Sequence, residues 1–566
     1  MTGHDETSTR TGLGGHGGHG GRAAPGVFAA AGLIAVVTLA ARVFGFGRWL
    51  VFSRSVGTTC VGSVYQAANQ LPNVVFEVAA GGALAAVVVP IIAGQLARQD
   101  QAGATQTVSA MLTWALTVLV PLSALTAAAA GPLSKILADS QRCSGSTDLM
   151  ASMLVVFAPQ IALYGVGIVL AGALQAHRRF LAAALAPLLS SVVVVGAYVL
   201  YALLAQGRGN DLSRLPARAS AVLAAGTTLG VVALSLPLLI PVHRAGIRLS
   251  ARWTFPDGVA RRAGALAAAG LLALAAQQVA VLVTLWVSQH RGGTGTLNVY
   301  TYVQAVYLLP YAVLAVPVAT SAFPAMAMGL GQAMTTGGDQ GSLGSAQATL
   351  SAAARAIVVA TCAGGAVLFA VASPMGAFFG ALDAGRHSPA GREALAALPA
   401  ALSAFAPGLV GFGLAALLTR ALYVQGRPAV AGGVVAIGWL IAALVPLVTL
   451  PTDAGPRKTL QSLGLASSLG MTVAAVGLFV AVRRAWGPQA SAGLGRSAVV
   501  AAGSGALAAT AGRALAGVLH PDGLGSGAGV AVLVAMVVVT LCAVCIWVGD
   551  RESARLVLAR LPRRAP

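Results

Sequence analysis

Charge is scarce in this sequence of 566 residues: 9% are Asp, Glu, Lys or Arg, against 57% that are hydrophobic. A soluble domain carries about 25% charged residues, so this chain has too few to solvate a globular surface. Lysine is nearly absent, with Lys135 and Lys458 alone. The five cysteines (Cys60, Cys143, Cys362, Cys542 and Cys545) show no metal-ligand spacing. Cys542 and Cys545 lie one turn apart in an apolar run, as small packing residues would. No Walker loop, HExxH, GxSxG or acidic pair with metal-ligand spacing is present. An enzyme with a resident metal or other cofactor is therefore not expected. Energy for any work would come from an ion gradient, the membrane potential or a partner.

What the chain has instead is long apolar runs, with a mean hydropathy of +0.82. A bilayer removes the need for surface charge because the surrounding solvent is itself apolar. A crossing helix needs about 20 apolar residues. The sequence predicts helices near 27–52, 64–96, 107–130, 150–175, 181–205, 219–241, 262–288, 299–327, 354–380, 395–423, 429–450, 459–482, 495–517 and 528–549. The expected fold is an all-α integral membrane protein with about fourteen transmembrane helices. Gly-, Arg- and polar-rich stretches at 206–218 and 335–345 read as loops.

The formal charge of +20 is spread between apolar runs and not gathered on one polar segment, which argues against nucleic acid and for anionic membrane lipids. Basic residues also set orientation. With the N-terminus inside, twenty fall on the cytoplasmic side and eleven outside; the inner set includes Arg178, Arg179, Arg244, Arg248, Arg252, Arg261, Arg262, Arg483 and Arg484. Both termini are therefore expected in the cytoplasm, and the dominance of Ala, Gly and Arg, typical of a GC-rich bacterial genome, makes the chain an expected multi-pass protein of a bacterial plasma membrane. The Gly/His-rich stretch 1–26, with His4, His16 and His19, reads as a disordered tail, and 550–566 as a basic one.

The chain repeats itself. Phe157-Ala158-Pro159, Tyr164-Gly165, Ala173-Leu174 and Arg179 recur 248 positions later as Phe405-Ala406-Pro407, Phe412-Gly413, Ala421-Leu422 and Arg427. Leu71-Pro72 and Pro90 pair more faintly with Leu309-Pro310 and Pro324. An offset of six spans keeps orientation, so the repeat is parallel and predicts a substrate site between its copies. The expected organisation is an N-lobe at 27–241, a C-lobe at 262–482 and two further helices at 495–549.

Ionisable residues at membrane depth cost about 2.5–3.5 kcal/mol each on insertion scales, which makes them functional candidates. Helix 1 holds Arg42 and Arg48, with Gly45 and Gly47 between them. Helix 2 carries a polar stripe of Asn69, Asn73 and Glu77, with Gln66 and Gln70 alongside. Glu77 is the acidic residue inside a span and is expected to pair with Arg42 or Arg48. Helix 8 presents Tyr300, Gln304, Tyr307 and Tyr311 on one face, either a ligand-contacting stripe or a helix–helix seam. Arg420 is a further candidate, or snorkels to the headgroups. Arginine suits bidentate phosphate recognition, so a basic cavity favours an anionic headgroup.

Arg42-Val-Phe-Gly-Phe-Gly-Arg48, Leu71-Pro72-Asn73, the segment from Gly81-Gly82 to Val89-Pro90, the run 174–180 followed by Ala186-Pro187, Leu309-Pro310-Tyr311 and Arg420-Ala-Leu-Tyr423 resemble the MurJ/MviN family, in its actinobacterial form. The resemblance covers about residues 30 to 485. It implies a lipid II flippase of the multidrug/oligosaccharidyl-lipid/polysaccharide exporter superfamily, working by alternating access in peptidoglycan synthesis. The substrate implied is a lipid-linked anionic saccharide precursor whose diphosphate meets Arg42 and Arg48, its tail running in a groove by the last two helices. Substrate-binding candidates are thus Arg42, Arg48, Asn69, Asn73, Glu77, Gln304 and Tyr307, and cell-wall synthesis proteins are candidate partners of a functional monomer. The chain departs from the proteobacterial pattern at Trp49 and Ser63, where that pattern has Asp, and at Phe76 and Ala305, where it has Arg. Other readings are a cation-coupled drug exporter, a flippase for another lipid-linked oligosaccharide, and a non-transporting cell-wall scaffold.

Overall fold

The computed structural model describes residues 43–139, 141–256, 259–335 and 340–552, without the side chains of 83, 85, 86, 260–269 and 340. Arg42, the tail at 1–26 with His4, His16 and His19, and the tail beyond 552 lie outside the described residues. The first half contains α1 (43–55), α2 (Cys60–Phe76), α3 (Gly82–Ala97), α4 (Gln101–Ala128), α5 (Ala130–Leu137), α6 (Ser146–Phe157), α7 (Gln160–Ala176), α8 (Phe180–Ala205), α9 (Ala217–Ser235) and α10 (Leu239–Arg244). The second contains α11 (Val259–Val287), α12 (Thr296–Pro310), α13 (Val316–Thr335), α14 (Gln340–Ala370), α15 (Ala372–Leu382), α16 (Pro389–Ala396), α17 (Leu398–Phe405), α18 (Gly408–Val424), α19 (Pro428–Thr449) and α20 (Gly455–Trp486). Helices α21 (Leu494–Leu519) and α22 (Leu524–Gly549) follow.

Among the described residues eleven helical segments are long and apolar enough to cross a bilayer, or twelve if the pair at Pro389–Phe405 and Gly408–Val424, bent by 50°, is one span. The first two of the fourteen expected crossings fall outside that count. Helix α1 starts at the edge of the described residues, and α2 joins α3 through a π turn at Glu77–Gly81. Helix ends follow local chemistry. Sequence placed the second helix from 64, but it begins at Cys60 because Thr59 Oγ1 accepts a hydrogen bond from Gly62 N (3.1 Å). Residues 340–345 of the loop expected at 335–345 belong to α14 instead.

The repeat has a backbone counterpart. Both α6 and α17 stop at the Phe of Phe-Ala-Pro, and each is followed by a 17-residue helix, α7 and α18. Proline lacks an N–H and breaks the ladder at the same point in each copy. Arg178 (φ 58°) and Gly426 (φ 68°) then take left-handed turns 248 positions apart, and α8 and α19 start two residues later. The fainter Leu-Pro match is structural as well: Pro72 precedes the π turn at Glu77–Gly81, and Pro310 the π turn at Tyr311–Ala315.

The connections at 56–59, 141–145, 206–216, 293–295 and 383–388 gather at one end of the bundle. There Cys60 and Cys143 form a disulfide across 83 residues, a pairing that the sequence reading did not foresee. Cys60 N donates to Asn210 Oδ1 (3.2 Å) and Val61 N to Gly209 O (3.0 Å), drawing the 206–216 connection to the same place. Closing so long a loop is worth about 2–4 kcal/mol. A Cys60→Ser variant is expected to unfold at a lower temperature, measured on detergent-purified protein by the loss of its monodisperse peak. An unchanged midpoint would show that the bond holds nothing that the hydrogen bonds do not.

Candidate functional site

At the disulfide end the two halves are joined through Asp383, in the connection between α15 and α16. Its carboxylate is fully buried. It accepts hydrogen bonds from Ser53 Oγ (3.0 Å), Thr58 N (2.8 Å) and Thr58 Oγ1 (2.8 Å) of the first half, and from Tyr302 OH (2.8 Å) and Gly385 N (2.7 Å) of the second. Gly57 has to be glycine here: its φ is +64°, and a Cβ would lie 2.6 Å from Asp383 Oδ1. Asn298 Nδ2 donates to Gly57 O (2.5 Å), and Gly295 N to Ser63 Oγ (2.8 Å). Beneath this layer Phe52 packs against the rings of Tyr65, Tyr198 and Tyr302, all buried.

Further in lie three adjoining chambers, the first and third between the halves and the second walled by the first half alone. The first, of ≈ 510 Å³, is bounded by Arg48, Trp49 and Pro187 on one side and Ala305, Leu308 and Leu309 on the other. The second, of ≈ 430 Å³, shares Gly45, Arg48, Trp49 and Pro187 with it and adds Gln66, Asn69, Tyr164 and Ser190. The third, of ≈ 310 Å³, shares Gln70 and Asn73 with the second and reaches Glu77, Gln277 and Gln278. Towards the opposite end α3 lies against α11, where Gly82 packs directly against the Leu274 side chain. The halves touch above and below this space.

Arg48 projects into the first two chambers, its guanidinium 5.3 Å from the Trp49 ring centroid. Its Nε is buried without a partner, and among the described residues it forms no ion pair. Asn69 and Asn73 face the second chamber as the stripe on α2 requires, and Asn69 Oδ1 is likewise buried without a partner. Glu77 opens the π turn and lines the third chamber. Its carboxylate folds back into the space that a Cβ on Gly81 would fill. The expected pairing of Glu77 with Arg48 is not formed, because the two side chains enter different chambers.

The α12 stripe lies on one helical face but does not line these chambers through Gln304 or Tyr307. Gln304 Nε2 donates to Tyr300 OH (2.8 Å), and Tyr307 packs against Phe405 and Phe412. Tyr300 itself reaches the third chamber. Arg420 donates to Ala416 O (2.6 Å) of its own helix. Trp49 and Ala305 stand on the wall of the first chamber, whereas Phe76 packs against Tyr164. Sequence reading missed Asp383, Gln277 and Gln278. The amide pair Gln277-Gln278 inside an apolar run was a usable signal; Asp383, in a polar connection, gave none.

Comparison with known proteins bears on this geometry. The family model "Lipid II flippase MurJ" matches residues 52–524. A probable lipid II flippase MurJ of Rhizobium meliloti is 28% identical over 306 residues, 52% of this chain and 53% of that protein. The chain thus spans about half the length of the curated relatives it matches. Among solved structures, a lipid II flippase MurJ in an inward closed conformation superposes with a TM-score of 0.68 at 15% identity, covering 91% of this chain and 98% of that one. An inward-facing multidrug resistance MATE family transporter of the MOP superfamily gives 0.61 at 14% identity, covering 81% and 99%. These two likenesses establish the shared fold, and with the family match across 52–524 they lead to one conclusion: the chain belongs to the lipid II flippase MurJ family.

Proposed function

We propose that this protein carries lipid II, the lipid-linked peptidoglycan precursor, from the inner to the outer leaflet of the bacterial plasma membrane by alternating access. The observation that carries the reading is the unpaired Arg48 in a cavity between the two halves. A guanidinium held without a partner at membrane depth is costly, and a diphosphate offers it the bidentate acceptor it lacks. The lobes, at 27–241 and 262–482, rock about this cavity, and one chain containing both acts as a monomer. Both termini are cytoplasmic. Two observations support that orientation: the excess of basic residues on the inner side, and the disulfide at the end it assigns to the oxidising exterior. A cation-coupled exporter would call for an acidic cavity; the described lining offers one glutamate and one arginine. Depletion of the protein, followed by leaflet-resolved lipid analysis, tests the proposal. Lipid II should accumulate on the inner leaflet, and an unchanged distribution would refute it.

A further inference from the structure

The third chamber differs from the other two in chemistry. From α2 it receives Gln70 and Asn73, from the π turn Glu77, and from α11 Gln277, Gln278 and Thr284. Among the described residues the four carboxamides and the carboxylate make no side-chain hydrogen bond and no ion pair. Polar side chains inside proteins are overwhelmingly partnered. Of these five, Gln278 is buried, Gln70, Gln277 and Glu77 are half-buried and Asn73 is exposed, and all face one space of ≈ 310 Å³ whose lining suits a polar ligand. Carboxamides both donate and accept, which suits hydroxyls and peptide amides. They cannot neutralise a carboxylate. A proton or a cation does so, and the one cation of the described lining, Arg48, enters the neighbouring chambers instead.

We propose that the Glu77 chamber is a separate subsite that binds a primary ammonium on the substrate head, at a distance from the diphosphate held at Arg48. This rests on the reading of the protein as a flippase for a lipid-linked diphosphate. Gln70 and Asn73 line both the second and third chambers, so they form the passage along which the uncharged, hydrogen-bonding part of the head lies. The site thus reads two opposite charges and their separation. A head with the phosphate but no amine satisfies only half of it.

The test uses the purified full-length chain in lipid nanodiscs and two short-chain polyprenyl-diphosphate disaccharide-peptide probes. One carries a free side-chain amine; in the other that amine is acetylated. Wild-type protein should bind the free-amine probe about tenfold more tightly, the size of effect a desolvated charge pair commonly gives. Glu77→Gln keeps the shape, and in this variant the difference between the probes should vanish. Equal binding of both probes by wild type, with both weakened by Arg48→Ala, would overturn the subsite and leave the flippase reading intact. Persistence of the amine preference in Glu77→Gln would overturn the assignment to Glu77. If wild type bound neither probe, the flippase reading would fall and the subsite with it.

Discussion

Arg48→Ala is expected to abolish transport while leaving the protein folded. The two halves of that result have different causes. Removing a guanidinium that contacts a phosphate forfeits a charge-assisted, bidentate interaction, and truncating one partner of such a pair costs about 2–5 kcal/mol. At about 1.4 kcal/mol per tenfold, that corresponds to a loss of roughly 30- to 3000-fold in binding. Stability should move the other way or not at all, because Arg48 has no ion-pair partner among the described residues and its Nε is buried unpaired. Complementation of a depleted strain and the thermal midpoint of the purified variant measure the two effects. A variant that grows normally would remove Arg48 from the mechanism. One that fails to fold would make it a structural residue.

The second large effect is expected at Asp383. Its carboxylate is the shared acceptor for groups from both halves, so Asp383→Ala leaves Ser53, Thr58 and Tyr302 donating to nothing in a buried layer. Each orphaned buried donor costs about 1–3 kcal/mol. In a state opened at this end the same groups would reach water, so the penalty falls on the closed arrangement alone. A bias of about 3 kcal/mol shifts the ratio of the two states roughly a hundredfold. A reporter cysteine at Ser190, on the wall of the second chamber, reads that shift. In cells it should react with a membrane-impermeant maleimide far faster in the Asp383→Ala background. Unchanged labelling would mean that the aromatic layer around Phe52 suffices to keep this end closed.

The contrast between Arg48 and Asp383 shows what the sequence made legible. Arg48, Asn69, Asn73 and Glu77 stand out because the bilayer makes each polar side chain in an apolar run anomalous, and helical periodicity places three of them on one stripe. The repeat was visible for a related reason: proline and glycine fix backbone breaks that must recur if the two halves fold alike. Asp383 sits among Gly, Arg, His, Ser and Pro, where an acid reads as solvated loop. Its burial arises from contacts 325 and 330 residues away, which no local pattern encodes. Cys60, at the start of α2, and Cys143, in the connection after α5, are 83 residues apart, and five cysteines do not announce which two will meet. The Arg48–Glu77 pairing failed because sequence proximity was taken for spatial convergence; the two side chains enter different chambers that meet along Asn73 and Gln70.

The Cys60–Cys143 bond also imposes an order on how the chain is made. In the proposed orientation Cys60 emerges outside once the first hairpin is threaded through the membrane, but Cys143 follows only with the connection after α5. The bond can therefore form no earlier than the arrival of that connection outside, well before the second half has left the ribosome. Its completion would mark the first half as a finished unit, against which α11 and the helices after it then assemble. A host with no thiol oxidant outside its membrane would release a chain that had passed this stage unfastened.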